Sequence, residues 1–143
     1  MKTVGDILRK KGGHVWSVAP STTVYDTLKL MAEKEIGAVV VLDHGQPVGL
    51  FSERDYARQV ILKGRTSKDT AVREVMISRV VFVRPEQSIE DCMALMTDKR
   101  VRHLPVLDHG TLVGMVSIGD VVKELISEKE FLVEQLANYI QQG

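Results

Sequence analysis

The chain repeats itself at a constant offset of 65 residues, and this duplication limits its possible folds more than any other feature. Residues 18–55 align with residues 83–120 without a gap. The identical pairs include Val18 and Val83, Pro20 and Pro85, Asp26 and Asp91, Met31 and Met96, Asp43-His44-Gly45 and Asp108-His109-Gly110, Val48-Gly49 and Val113-Gly114, Ser52 and Ser117, and Asp55 and Asp120. So many identities at one offset indicate a tandem repeat, and the fold must therefore contain two similar units.

The similarity extends upstream, where the sequence from Val4 to Leu8 resembles that from Val72 to Met76 at an offset of 68. The first copy therefore carries three extra residues near Gly12-Gly13. Each copy predicts a short leading helix, a brief strand ending at Pro20 or Pro85, a helix, two strands and a second helix. This order is a βαββα-type unit of the α+β class.

Local signals support the helices and hairpins. Thr23-x-x-Asp26 and Ser88-x-x-Asp91 resemble capping boxes at helix starts. Apolar residues follow each cap at i, i+4 and i+7 and predict core-facing stripes, namely Val24, Leu28 and Met31 in the first copy and Ile89, Met93 and Met96 in the second. The apolar runs 38–42 and 101–107 each lead through Asp-His-Gly into a second run, at 48–51 and 112–116, which predicts two hairpins. His44 and His109 are expected to be exposed turn residues rather than metal ligands.

The predicted organisation is a first repeat over residues 1–62, a linker over 63–70, a second repeat over 71–126 and a helical tail over 127–143. A unit of about 60 residues has a marginal core on its own. We therefore expect the two sheets to pack face to face as one body with pseudo-two-fold symmetry.

The bulk composition argues against several classes of partner. The chain has 19 basic and 19 acidic side chains, with no long basic block that could follow a nucleic acid backbone. Lys10-Lys11 is interpreted as solvated loop charge. No membrane span and no secretory leader are expected. The single cysteine, Cys92, lies in an apolar helical stretch, where it is interpreted as a packing residue, and suits a reducing compartment such as the cytoplasm.

Two motifs at equivalent places carry a family resemblance: Gly49-Leu50-Phe51-Ser52-Glu53-Arg54-Asp55 and Gly114-Met115-Val116-Ser117-Ile118-Gly119-Asp120. Together with the tandem βαββα-type units and the Val-x-Pro opening of each, they closely resemble the cystathionine-β-synthase-type, or CBS, repeat. Two such repeats form a Bateman module. The resemblance runs from about Val4 to Ile126.

The resemblance implies a regulatory module that binds an adenosine-containing ligand in a cleft between the repeats, with no catalysis and no catalytic cofactor. AMP, ADP, ATP or NAD are expected ahead of S-adenosylmethionine. It assigns Asp55 and Asp120 to ribose hydroxyls and Ser52 and Ser117 to phosphate. Arg54, Arg102 and His103 are further phosphate candidates, and the base is expected near Ile36, Gly37, Ala38 and Pro105.

The residues support this chemistry independently, because each motif serine falls where a strand gives way to a helix, and helix N-termini attract phosphate. A carboxylate three residues later can accept both hydroxyls of a ribose. The alternative is that Ser52-x-x-Asp55 and Ser117-x-x-Asp120 are only capping boxes. Both roles remain open, and one residue can serve each in turn. The basic residues differ between the copies, which predicts sites of unequal ligand or affinity.

Catalysis is not expected, since the sequence has no nucleophile elbow, Walker loop, dinucleotide fingerprint or zinc motif. Trp16 is interpreted either as a hydrophobic cover or as a neighbour of the ligand's base. The tail has an apolar stripe at Leu132, Val133, Leu136, Ala137 and Ile140, which predicts a partner surface and a homodimer. Two other functions stay open: an interaction subunit with a vestigial cleft, and an unrecognised nucleotide-processing enzyme. The ligand, the effector protein and the pathway are not specified by the sequence.

Overall fold

A computed structural model describes residues 2–142 and divides them into two compact units. The central unit is Val15–Val81, and the terminal unit combines the residues up to His14 with those from Phe82 onward. The leading segment of the first sequence repeat therefore packs with the second repeat rather than with its own. The mixture of helices and two small sheets confirms the α+β prediction.

The central unit contains a three-stranded sheet in the order β1-β2-β3. Its elements are β1 (Ser17–Val18), α2 (Val24–Lys34), β2 (Ala38–Asp43), β3 (Gln46–Ser52) and α3 (Glu53–Asp55), which runs into π-helical turns over Tyr56–Ile61, followed by 3₁₀ turns at Ser67–Asp69 and Val72–Glu74. Strand β1 pairs parallel with β2, and β2 pairs antiparallel with β3. The parallel and antiparallel neighbours enclose β2, whose residues Val39 to Val41 are fully buried.

The terminal unit contains a two-stranded antiparallel sheet flanked by helices. Its elements are α1 (Val4–Lys11), α4 (Ile89–Lys99), β4 (His103–Asp108), β5 (Thr111–Ser117) and α5 (Ile118–Gln142). The brief strand predicted before Pro85 is reduced to one parallel bridge between Val83 and Val106. Helix α5 passes the predicted repeat boundary at residue 126 without a break, and Gly143 lies outside the described residues.

The predicted helix caps are present, and the buried stripes lie close to their predicted positions. The hydroxyls of Thr23 and Ser88 accept hydrogen bonds from the backbone N–H groups of Asp26 and Asp91, at 3.1 and 3.0 Å. The fully covered positions are i, i+3 and i+7, namely Val24, Thr27 and Met31 in α2 and Ile89, Cys92 and Met96 in α4. Leu28 and Met93 are only half-buried. Thr27 tolerates burial because its hydroxyl donates to the Thr23 carbonyl at 2.8 Å.

The short leading helix predicted for each repeat is an α-helix only in the first; in the second it is a single 3₁₀ turn. At α1, Thr3 and Asp6 form a capping box, and the helix continues for eight residues. The equivalent segment makes only the turn Val72–Glu74, preceded by Ala71, whose side chain has no oxygen to accept a capping hydrogen bond. Two backbone hydrogen bonds between Ile77 and Leu50, at 2.8 and 2.9 Å, then hold the following chain extended.

The Asp-His-Gly turns form two matching hairpins. His44 and Gly45 have φ angles of 51° and 79°, and His109 and Gly110 have 51° and 81°. Positive φ at both central residues is the geometry that matches the twist of a two-residue hairpin. The histidine side chains are 95% and 94% exposed, which confirms them as exposed turn residues.

No helix within residues 2–142 combines the length and apolar content that a membrane span requires. The face-to-face packing of the two repeats stays a prediction from the sequence.

Candidate functional site

The two Ser-x-x-Asp motifs occupy equivalent junctions between a strand and a helix. Ser52 ends β3 and Ser117 ends β5, and each aspartate lies in the first turn of the next helix. Sheet register places Ala38 directly across from Ser52, and His103 directly across from Ser117. At each junction the paired strand, β2 or β4, therefore supplies a predicted site residue opposite the motif serine.

Backbone hydrogen bonds complete each junction. The N–H of Glu53 donates to the carbonyl of Gly37 at 3.1 Å, and the N–H of Ile118 donates to the carbonyl of Arg102 at 2.8 Å. Gly37 and Arg102 are therefore fixed beside the helix starts by their main chains. The Arg102 side chain is exposed, whereas Arg54 is part-buried in α3.

Both motifs form capping boxes, which is the structural alternative that the sequence left open. The Ser52 N–H and hydroxyl donate to Oδ2 of Asp55, each at 2.9 Å, and the Asp55 N–H donates back to the serine oxygen at 3.3 Å. The Ser117 N–H donates to Oδ2 of Asp120 at 2.8 Å, and the Asp120 N–H returns a bond at 3.2 Å. A carboxylate has about four acceptor positions on its two oxygens, so that capping does not exhaust its capacity to bind hydroxyl groups.

The two aspartates differ in their electrostatic environment. Burial raises the pKa of Asp55 above its ordinary value, outweighing the hydrogen bonds from Ser52 and the nearby positive charges of Arg54 and Arg58. Burial also acts to raise the pKa of Asp120, but the hydrogen bonds from Lys11 and Ser117 and the Lys11 charge together outweigh it and lower the pKa. The same motif thus holds one carboxyl that resists ionisation and one that favours it.

Lys11 is the site residue that sequence reasoning missed. Its ammonium group lies 2.7 Å from Oδ2 of Asp120 and also donates to the Met115 carbonyl at 2.9 Å. Lys10 makes a separate ion pair at 3.0 Å with Glu124, a side chain only 7% exposed. The interpretation of Lys10-Lys11 as solvated loop charge is therefore wrong. Both lysines lie in the last turn of α1, where basic residues favour the helix dipole, but their partners are more than 100 residues away in the sequence.

The electrostatics also define the state of His103. Burial lowers the pKa of His103, and the positive charges of Lys11 and Arg102 act in the same direction, while Asp120 opposes them. Because its pKa lies below the ordinary value of about 6.5, His103 is neutral at pH 7 and presents one N–H donor and one acceptor nitrogen. It is therefore a hydrogen-bonding group rather than a second positive charge.

The remaining predicted residues have mixed surroundings. Ile36 is part-buried against the core of the central unit, and Ala38 is buried in β2. Pro105 is buried in β4. Its carbonyl accepts a hydrogen bond from the Val83 N–H at 3.0 Å and is therefore already engaged in pairing with that segment. Trp16 packs on the core of the central unit, with the Lys34 ammonium 4.5 Å from its ring centroid. The packing of Trp16 on this core supports its interpretation as a hydrophobic cover.

The described residues contain neither a cluster of metal-binding side chains nor a reactive thiol. Within residues 2–142, no group of three or more His, Cys, Asp and Glu side chains is arranged to hold a metal ion. Burial, together with the charge of Asp91, raises the pKa of the Cys92 thiol to about 11. A thiol with this pKa is almost entirely protonated at pH 7 and is a poor nucleophile.

Comparison with known proteins gives a consistent result. The model of the CBS domain family matches residues 4–61 and 72–127. The CBS domain-containing protein CBSX3, mitochondrial, of Arabidopsis thaliana is 38% identical across 99% of this chain and 73% of its own length. A solved structure of a putative signal-transduction protein with CBS domains from Burkholderia ambifaria has 51% identity and a TM-score of 0.86, covering 88% of this chain and 95% of that one.

A third likeness concerns the fold alone, because its sequence identity is 21%. It is the CBS domain pair of protein MJ0100, solved in complex with 5′-methylthioadenosine and S-adenosyl-L-methionine. Its TM-score is 0.76, with 90% of this chain and 98% of that chain covered.

Proposed function

Because this chain belongs to the CBS domain family, whose paired domains generally act as regulatory modules, we propose that it is a non-catalytic sensor of an adenine nucleotide. AMP, ADP, ATP or NAD is the proposed ligand. The compartment that we propose is a reducing one such as the cytoplasm, since a lone buried cysteine suits it.

The observation that carries this proposal is the pair of part-buried aspartates held at the two strand-to-helix junctions. Each carboxylate is fixed by its motif serine and can accept hydrogen bonds from the two hydroxyls of a ribose. The serine hydroxyl and the first N–H groups of the helix are donors of the kind that bind phosphate. One junction thus offers acceptors for the sugar and donors for the phosphate within one turn.

The choice among adenosyl ligands rests on charge. Arg54 and Arg58 surround Asp55, and Lys11 and Arg102 surround Asp120 and His103. Positive side chains attract phosphate and repel the positively charged sulfonium of S-adenosylmethionine. The MJ0100 pair binds S-adenosyl-L-methionine and a neutral thioadenosine, but the low identity restricts that likeness to the fold. We therefore place phosphorylated nucleotides ahead of S-adenosylmethionine for this chain.

The test is titration calorimetry with AMP, ATP, NAD and S-adenosylmethionine, combined with mass spectrometry of small molecules released from the purified protein. We expect heat from at least one phosphorylated nucleotide, with Asp55→Ala and Asp120→Ala each removing one class of site. Asp91→Ala is the matched control, because Asp91 forms an ordinary capping box in α4. Absence of binding to all four compounds would overturn the proposal.

The second candidate is an interaction subunit with vestigial sites, and the closed capping boxes together with the exposed end of α5 favour it. It predicts no heat with any nucleotide but retained self-association. Incubation with ATP or NAD followed by product analysis tests an enzymatic role, for which turnover would be the positive result. In either non-catalytic case we propose that the protein is a homodimer.

A further inference from the structure

The last helix, α5, presents a regular apolar seam on its exposed side. Its positions alternate at spacings of four and three residues: Val122, Ile126, Lys129, Val133, Leu136 and Ile140. The five apolar members are 39–74% exposed. Alternation of four and three is the repeat by which two helices pack along a shared seam, whereas a helix lying on a globular core needs no such strict period.

The seam is separate from the face with which α5 packs on its own unit. Val121 and Glu124 are buried, and Glu124 binds Lys10 of α1. Beyond residue 128 all side chains through Gln141 are exposed, including Leu132, Val133 and Leu136. The seam therefore begins on the first half of α5, which packs on its own unit, and continues along the second half, whose side chains are exposed. At 1.5 Å per residue the seam is roughly 27 Å long.

We propose that this seam pairs with the same seam of a second copy of the chain, in antiparallel orientation. An antiparallel pair centred near Phe131 places every seam residue opposite another. Val122 then faces the partner's Ile140, Ile126 faces the partner's Leu136, and Lys129 faces the partner's Val133. Every pair of facing residues therefore contains at least one apolar side chain. The seam is thus complementary to itself, as a two-fold interface requires.

Charge selects the antiparallel orientation over the parallel one. A shallow groove on α5 is lined by Ile126, Lys129, Glu130, Val133 and Glu134. In the antiparallel pair, Lys129 lies beside the partner's Glu130 and Glu134, on either side of the partner's Val133. In a parallel pair, Lys129 would face the partner's Lys129 inside the seam, where like charges repel. The single charged position therefore determines orientation while weakening the interface.

This inference rests on the homodimer proposed above and assigns it a surface. The first test is the molecular mass by light scattering and sedimentation for the full chain at micromolar concentration. We expect a dimer, and we expect Val133→Lys to weaken association at least about 100-fold, because it places a second positive charge opposite the partner's Lys129 in the central layers. Asn138→Lys, on the opposite side of α5, is the matched control and leaves the mass unchanged. A Val133→Lys protein that remains fully dimeric overturns the assigned surface.

Disulfide trapping tests orientation without a disruptive substitution. Under mild oxidation, a mixture of Val122→Cys and Ile140→Cys chains forms the mixed disulfide, while neither variant alone crosslinks to itself. The native Cys92 does not interfere, since its thiol is buried and protonated. Self-crosslinking of Val122→Cys alone would establish a parallel pair and contradict the proposal. Lys129→Leu tightens the dimer, because an apolar residue then replaces the charge in the seam.

The results separate this surface from the more general proposals. A wild-type protein that is monomeric contradicts the homodimer and the seam together. If that monomer then sediments with anionic phospholipid vesicles, the apolar face of α5 binds a lipid surface instead. A dimer that is unaffected by Val133→Lys contradicts the seam only. Nucleotide titration of the Val133→Lys protein is independent of both proposals, since the substitution lies outside the two Ser-x-x-Asp junctions.

Discussion

At the scale of single residues, two aspartates with the same local sequence pattern have pKa values shifted in opposite directions. The capping box and the cost of burial are common to Asp55 and Asp120, so the difference comes from Lys11, which reaches Asp120 from α1. The motif itself is visible in the sequence. The lysine was not predictable, because 109 residues separate it from its partner and only the folded chain brings them together.

Replacement of Lys11 by methionine should raise the pKa of Asp120 and leave that of Asp55 in place. Loss of the ammonium leaves burial as the dominant influence on the Asp120 carboxyl, as it already is at Asp55. Carbon-detected NMR titration of the side-chain carboxyls measures both groups in one sample. An Asp120 pKa that does not rise would show that the Lys11 contact is absent in solution.

The opposite shifts also predict opposite effects of pH on stability. The pKa of Asp120 is lower in the folded state than in the unfolded chain, so its ionised form stabilises the fold above the unfolded value, and this contribution is lost as the pH falls through the folded value. Asp120→Asn should therefore cost about 1 kcal/mol at pH 7, and this loss should diminish in acid.

Asp55→Asn should behave differently, because the raised pKa of Asp55 means that its ionised form destabilises the folded state. The contribution of Asp55 to the free energy of unfolding becomes more favourable as the pH falls. Substitution by the neutral amide should therefore cost less at pH 7 than the change at Asp120. Urea unfolding of both variants at neutral and acidic pH makes the comparison. Equal losses at every pH would contradict the assigned shifts.

At the scale of elements, caps and turns followed from the sequence, whereas helix length did not. Thr23, Ser88 and the Asp-His-Gly turns have local geometry that depends on nearby residues, and each was predictable. The lengths of α3 and α5 depend on what each helix packs against. Their starting motifs are similar, yet α3 turns π-helical after Asp55 and α5 continues to Gln142.

Gly114 tests the contact between α1 and β5. A Cβ atom at Gly114 would lie 2.5 Å from a methyl carbon of Leu8, closer than van der Waals contact allows. The Leu8 side chain must shift to make room, so Gly114→Ala should destabilise the protein by about 1 kcal/mol. Gly119→Ala is the matched control, because its nearest neighbour would be 3.6 Å away and alanine favours a helix over glycine. Denaturant midpoints should fall for the first and stay level or rise for the second.

At the scale of the whole molecule, the duplication predicted two similar units, and the CBS family match agrees with it. The sequence did not predict which residues each unit contains, since repeats are recognised along the chain and units form by contact in space. Helix α1 joins the terminal unit because Val4 and Gly5 donate to the Gln87 and Pro85 carbonyls, at 2.8 and 2.9 Å. Lys10 and Lys11 add ion pairs to the same unit.

Ligand binding should be visible in the stability of the full chain. A nucleotide that binds only the folded protein adds about 2.7 kcal/mol at a concentration of 100 times the dissociation constant. AMP or ATP should therefore raise the unfolding midpoint of the wild type, and the double variant Asp55→Ala/Asp120→Ala should lose the increase. An equal increase in wild type and double variant would place the ligand elsewhere.

The position of α1 also affects the order in which the units can fold during synthesis. The ribosome synthesises residues 4–11 before the central unit, but Gln87, Asp120 and Glu124, which hold this helix, emerge more than 70 residues later. The central unit is continuous from Val15 to Val81, so all of its residues have been synthesised by then. Translation thus favours a vectorial order in which the central unit folds before α1 finds its partners in the terminal unit.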